Sequence, residues 1–224
     1  MDYFITGIDT DIGKTFAAKG LAYALTKSGR RAGVYKPLQS GALKTQNGLA
    51  APDIEAVKAV SKDINTKYSY LLEGEVSPAL AARLSGVKID AEKIKRDFEE
   101  FKKNNDITLV EGAGGILAPA SDEMLCADLI KELNIPVIIV TAPFLGRLNH
   151  TLLTIDCAKH NNISIKGLII NKMPENPKDE ASKNFIQELQ MYSDTPVLGC
   201  IKDFSGRENL EAIQSAFLKI TALL

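Results

Sequence analysis

The first side chains suited to chemistry lie close to the amino end. Gly7-Ile8-Asp9-Thr10-Asp11-Ile12-Gly13-Lys14-Thr15 closes on a glycine, a lysine and a hydroxyl. A glycine loop of this kind turns successive backbone N–H groups toward phosphate oxygens, and a helix that follows it adds its positive end. Lys14 would then reach the β- and γ-phosphates as a point charge, and the Thr15 hydroxyl would ligate Mg²⁺. The spacing departs from G-x-x-x-x-G-K-[ST], because five residues separate Gly7 from Gly13 and Ile8 stands where the first glycine would be. An apolar run before the loop and a helical pattern after it favour a nucleotide over an ordinary strand-to-helix turn with a solvated lysine.

Three more groups fit the same chemistry. Lys36 ends a second apolar run, in Tyr35-Lys36-Pro37-Leu38-Gln39-Ser40-Gly41. Taken alone it reads as a surface lysine before a proline turn; beside a phosphate loop it would stabilise a carbamate or a transferring phosphoryl group. Asp53 follows Pro52, where capping or charging the first turn of a helix is the common outcome. Glu111 ends the run Ile107-Thr108-Leu109-Val110 and precedes Gly112-Ala113-Gly114-Gly115. A carboxylate at that place holds Mg²⁺ in phosphate-loop enzymes, usually as aspartate. Thr15, Asp53 and Glu111 make a sensible set for a hard cation that also takes phosphate oxygens and water.

Positioning these groups requires strands that end on one side. The runs Tyr3–Thr6, Ala32–Tyr35, Ile107–Val110, Pro136–Thr141, Ile165–Ile170 and Val197–Cys200 read as strands. Several are apolar without alternation, as strands covered on both faces are. Helical patterns run from Lys14 to about Lys27, Asp53 to Val60, Ala79 to Leu84, Asp90 to Lys103, Asn149 to Lys159, Lys178 to Gln190, and Glu208 to the end. The alternation predicts a single α/β domain with a mostly parallel sheet and helices on both faces. The stretch Pro37–Pro52, with Gly41 and Gly48, reads as an ordered loop at the carboxyl edge of the sheet, where such folds bind ligands.

Together, Gly-x-Asp-Thr-x-x-Gly-Lys-Thr (7–15), Tyr-Lys-Pro-x-x-Ser-Gly (35–41), Ser77-Pro78 and Val-Glu-Gly-Ala-Gly-Gly (110–115) resemble the dethiobiotin synthetase family. Leu145-Gly146-x-x-Asn149-His150-x-x-Leu153-Thr154 is similar to the segment entering that family's dimer-interface helix, so the resemblance spans about residues 3–171. It implies a P-loop NTPase-like homodimer that joins ATP, CO₂ and 7,8-diaminononanoate into dethiobiotin through a carbamate and its mixed anhydride with phosphate. By matching position, Lys14 and Lys36 would be catalytic, stabilising carbamate and phosphoryl charge. Thr15, Asp53 and Glu111 would serve the metal. Asp11, Ile12, Gly13, Lys14, Thr15, Phe16, Glu111, Gly114 and Asn171 would meet the nucleotide, Asn171 near its base. Thr10, Lys36 and Ser40 would contact the diamine. Gly146 and Asn149 would offer a helix N-terminus to the substrate carboxylate across the dimer, Asn149 doubling as an N-cap. Two positions depart from the family: Ile8 replaces a common threonine and Asp11 the usual glutamate. Its proline-rich base-contacting stretch is not evident in Ile201–Asn209.

Composition narrows the alternatives. A chain of 224 residues with net charge −1 has no overall field to gather nucleic acid or an anionic membrane, so small molecules are the expected partners. Cys126, Cys157 and Cys200 form no C-x-x-C pair and read as reduced packing residues. The start at Met1-Asp2-Tyr3 lacks a basic segment with an apolar stretch behind it, and no run nears the roughly 20 apolar residues of a membrane span. The expected location is the cytoplasm. His150 and His160 are expected to be structural or solvated. The rival functions are a partner-regulated positioning ATPase and the ATPase part of a cobyrinate-type amidotransferase. The first carries an extra lysine early in its phosphate loop, absent from Gly7-Ile8-Asp9; the second needs a glutaminase domain for which the chain to Leu224 leaves no room. Ala212–Leu224, with only Lys219 as a cation, reads as a packing helix and not a membrane anchor.

Overall fold

The structure is a computed structural model that describes residues 1–46, 48–204 and 209–224. In chain order the elements are β1 (Asp2–Gly7), α1 (Lys14–Lys27), β2 (Ala32–Gln39), β3 (Leu43–Thr45), β4 (Gly48–Ala50), α2 (Pro52–Val60), β5 (Asn65–Leu71), α3 (Pro78–Leu84) and α4 (Ala91–Lys102). They continue as β6 (Ile107–Glu111), α5 (Cys126–Leu133), β7 (Val137–Thr141), α6 (Arg147–His160), β8 (Ile165–Met173), α7 (Glu180–Tyr192), β9 (Val197–Lys202) and α8 (Leu210–Thr221).

Seven strands form one parallel sheet in the order β5-β2-β6-β1-β7-β8-β9. Early connections run to one side of β1 and later ones to the other, so the order reverses beside β1, and a crevice opens at its carboxyl end. Residues of β1 alternate between two cores. Phe4 joins Tyr35, Phe98, Val110 and Phe185 under α4 to α7, whereas Tyr3 and Ile5 join Leu21, Leu109 and Phe217 under α1 and α8. Burial on both faces explains why these strands read as unbroken apolar runs.

The expected parallel sheet with helices on both faces is present, with differences of detail. β5, Asn-Thr-Lys-Tyr-Ser-Tyr-Leu, carries no apolar run because it is an edge strand with no fully buried side chain. The helix α5 is short and follows an irregular loop, so its period is brief. The stretch Pro37–Pro52 is not all loop. β2 continues to Gln39 by pairing with β5, and Pro37 is tolerated because pairing with β6 has already ended at Tyr35. The hairpin β3–β4 occupies the rest. The helix α7 starts at Glu180, where the Asp179 side chain accepts from Ser182 N at 2.8 Å. Asn209 caps α8 by accepting from Glu211 N and Ala212 N; Glu208, where the pattern placed the start, lies outside the described residues. Among the described residues no helix is long and apolar enough to cross a membrane.

Candidate active site

The phosphate loop leaves β1 at Gly7 and is braced from two neighbouring strands. Ile8 N donates to Val140 O on β7 at 3.1 Å. At the end of β8, Asn171 Nδ2 donates to Ile12 O at 3.0 Å and Lys172 Nζ to Asp11 O at 3.1 Å. With the Asp11 and Ile12 carbonyls taken by these bonds, and C=O and N–H opposed in a trans peptide, the Ile12 and Gly13 N–H groups suit an anion. Gly13 precedes α1 with φ of 99°, and a Cβ there would lie 2.0 Å from Asn171 Nδ2. Both the left-handed backbone and the contact demand glycine.

Lys14 is buried, and its Nζ donates to Asp9 O at 2.9 Å, so the side chain folds over its own loop. Burial lowers its pKa, helped by Lys36 and opposed by Glu111, Asp53 and Asp11. Lys36, brought to the end of the sheet by β2, is only 4% exposed, which overturns the reading of a surface lysine. Its Nζ lies 2.7 Å from Glu111 Oε1 and 2.7 Å from Asp53 Oδ2, and donates to Gly112 O at 3.2 Å. Burial works to lower the Lys36 pKa, but the two carboxylates outweigh it and the net shift is upward. Asp53 responds inversely: burial would raise its pKa, and Lys36, Thr15 and Gln39 together lower it.

Asp53 is not a cap. Ala51 holds the N-cap position of α2 without a side-chain bond, and the Asp53 carboxylate turns to the site instead. The Thr15 hydroxyl lies 2.7 Å from Glu111 Oε1 and 3.1 Å from Asp53 Oδ1. Glu111 Oε2 is buried with no hydrogen-bond partner. Among the described residues no group of three or more His, Cys, Asp or Glu side chains could hold a metal. Two carboxylates, a hydroxyl and an orphaned carboxylate oxygen nonetheless suit Mg²⁺, which binds through few protein oxygens, waters and phosphate.

These groups open on one cavity of about 900 Å³, a volume that accommodates a nucleotide with a small co-substrate. Thr10, Asp11, Phe16, Ser40, Gly114 and Asn171 line it together with Gly13, Lys14, Thr15, Lys36, Asp53 and Glu111. Ile12, within the loop, is buried and its carbonyl accepts from Asn171. Gly146 and Asn149 do not line the cavity of their own chain. The helix α6 begins at Arg147, with Gly146 as its cap at φ of 83°, so Asn149 is the third helical residue and not the N-cap. Both are exposed, in a stretch that also exposes Phe144 and Leu145.

Several neighbours carried no sequence signal. Gln39 Oε1 accepts from Asp53 N at 3.3 Å and so steadies α2 against β2. Arg147 Nη1 donates to Asp9 Oδ2 at 2.7 Å, tying α6 to the phosphate loop. Glu75, Val76, Lys172, Asp203 and Phe204 also line the cavity. Phe16 packs against Phe204 and Phe217, with ring centroids 5.8 Å apart in each pair. Cys126 is buried under the glycine loop, where Sγ donates to Ala113 O at 3.3 Å and burial pushes the thiol up to about 11. Cys200 is exposed on β9, contrary to a packing role. His150 and His160 are exposed and away from the cavity.

Comparison with known proteins decides the family. A family model described as an AAA domain matches residues 1–206. The ATP-dependent dethiobiotin synthetase BioD of Clostridium perfringens is 37% identical over 209 residues, covering 89% of this chain and 91% of its own. Those of Thermodesulfovibrio yellowstonii and Anoxybacillus flavithermus are 36% and 38% identical, covering 89% and 88% of this chain and 87% and 89% of theirs. The chain belongs to the dethiobiotin synthetase family. Every motif that carried the dethiobiotin synthetase resemblance borders the cavity except the Leu145–Thr154 segment. Among solved structures, the septum site-determining protein MinD of Pyrococcus horikoshii, complexed with Mg-ADP, is similar with a TM-score of 0.64 at 18% identity, covering 99% of this chain and 95% of its own. A ParA family ATPase of Chlorobium tepidum gives 0.60 at 14%, covering 99% and 92%. At such identities the likeness shows the shared fold and carries no argument for a positioning ATPase.

Proposed function

We propose that this chain closes the ring of dethiobiotin, using ATP to join CO₂ to 7,8-diaminononanoate in biotin synthesis. The supporting observation is the convergence of Lys14, Lys36, Thr15, Asp53 and Glu111 on one cavity beside a glycine phosphate loop. One amine of the diamine adds to CO₂ and loses a proton, giving a carbamate. A carbamate oxygen then attacks the γ-phosphorus and the bond to the bridging oxygen breaks, releasing ADP. The second amine attacks the carbamic carbon and gives up a proton, the carbon–oxygen bond to phosphate breaks, and phosphate leaves with the ring closed.

This chain's residues position and neutralise, as phosphoryl transfer requires. Lys14 holds the phosphates against the loop. Lys36 offers a protonated ammonium to the carbamate and the transferring group, while Thr10 and Ser40 orient the diamine. Thr15, Asp53 and Glu111 would hold Mg²⁺, which would supply charge neutralisation at the phosphate oxygens. Asn171 and the Phe16 side of the cavity take the base.

The reading includes a cytoplasmic homodimer in which Gly146 and Asn149 of one chain serve the substrate carboxylate in the other. Their absence from the lining of their own chain's cavity, and the exposure of Phe144, Leu145 and Leu153 around α6, support it. The test is ATP turnover with bicarbonate, with and without the diamine, in wild type and Lys36→Ala. Diamine-dependent ADP and dethiobiotin that fall at least about a hundredfold in the variant support the assignment. ATP hydrolysis indifferent to the diamine would favour a partner-regulated ATPase.

A further inference from the structure

Lys36 sits where a cation belongs. Its ammonium contacts Glu111 Oε1 and Asp53 Oδ2, and the Thr15 hydroxyl is bonded to the same two side chains. An ammonium has three donors. Here they are taken by Glu111, Asp53 and Gly112 O, and none remains for Glu111 Oε2, which is buried without a partner. A buried carboxylate oxygen left in that state is costly. Mg²⁺ needs carboxylate oxygens at about 2.0–2.1 Å in a regular octahedron. An ammonium already in contact with those carboxylates repels such an ion and blocks its approach.

We infer that Lys36 is a place-holder for the divalent cation: its ammonium neutralises Glu111 and Asp53 and must swing out before Thr15, Asp53 and Glu111 can hold the metal. This deepens the metal assignment made above and rests on it. The displaced ammonium enters the cavity that Lys36 already lines. Nucleotide phosphates there would give it a new counter-charge, so nucleotide and metal favour each other's binding. Metal affinity without nucleotide is lowered by the fraction of molecules in which Lys36 has moved out. The lysine thus arrives at the reacting phosphate only once the metal has taken its place.

The probe is Mn²⁺, followed by the paramagnetic resonance signal of the free ion, with the full chain and no nucleotide. Lys36→Met and Lys36→Gln are expected to bind Mn²⁺ at least about tenfold more tightly than wild type, as the loss of a competing occupied state requires. Lys36→Gln keeps an N–H donor for its neighbours and serves if the methionine variant folds poorly. Lys14→Met removes a nearby positive charge that is not bonded to the carboxylates, and should gain less than about threefold. Equal affinity in the Lys36 variants and wild type, or an equal gain in Lys14→Met, would overturn the inference. In wild type carrying nitrogen-labelled lysine, the slowly exchanging Lys36 ammonium resonance should move when Mg²⁺ and ATP are added together; a resonance that stays in place would also overturn it. Tight Mn²⁺ binding by wild type with ATP, but no gain in the variants, would refute the place-holder alone. No Mn²⁺ binding by any of the proteins, even with ATP, would remove the metal assignment as well.

Discussion

Replacing Lys36 by methionine should unfold this protein more readily than any surface lysine change. The side chains of Lys36 and Glu111 are 5% and 1% exposed, and Asp53 shields the pair on the open side. At an effective dielectric near 20, unit charges at their separation of 2.7 Å attract by about 6 kcal/mol. Desolvation offsets most of that while the pair is intact, but removing one partner leaves Glu111 buried and uncompensated. The expected loss is about 3–5 kcal/mol. For a chain of this size each kcal/mol lowers Tm by about 2–4 °C, so the melting point should fall by roughly 6–20 °C. Urea unfolding in a metal chelator without nucleotide measures the free energy. The double variant Lys36→Met/Glu111→Gln should recover at least about half of the loss, because the stranded charge is gone. A single variant within about 1 kcal/mol of wild type, or a double variant as unstable as the sum of the singles, would refute the buried ion pair.

Other outcomes follow from the same geometry. Gly13→Ala forces a left-handed backbone on alanine and drives a methyl into Asn171, so ATP binding by calorimetry should weaken about 5- to 150-fold, the effect of about 1–3 kcal/mol of strain. Gly29→Ala has positive φ but nothing near its added methyl, and should leave ATP binding unchanged. The Asp97 pKa sits at about 2: burial would raise it, but bonds from Lys93, Ser69 and Lys67 to the ionised form outweigh that. Its stabilisation is therefore complete above pH 3.8 and lost as pH falls toward about 2, and Asp97→Asn should lack that slope in acid unfolding. Leu145, 91% exposed beside the start of α6, lies on the proposed dimer face. Leu145→Asp should sediment as a monomer and lose activity with its fold intact, whereas an unchanged dimer would move the interface elsewhere.

Much of this arrangement was legible in the sequence because the parallel strands are buried on both faces. Val137-Ile138-Ile139-Val140 can hardly be anything but a central strand, and the strand ends then bring Gly7, Lys36 and Glu111 to the same edge. What escaped was decided by tertiary partners. β5 is polar because only one side of it is paired and none of its side chains is fully buried. Lys36 reads as a surface lysine until β6 supplies Glu111 and α2 supplies Asp53. Asp53 reads as a cap until the helix is found to start at Pro52, one residue earlier. Arg147 carries no local pattern, because its partner Asp9 is distant in the chain. The exposure of Gly146 and Asn149 is a property of one chain, and their assigned task needs a second copy.

The most direct test of the central claim is to supply the purified protein with MgATP, isotope-labelled bicarbonate and 7,8-diaminononanoate, and to weigh the product. The expected product is dethiobiotin carrying the label in its ring carbonyl, with ADP formed in equal amount. Unlabelled product, or ATP consumed with the diamine left untouched, would contradict it.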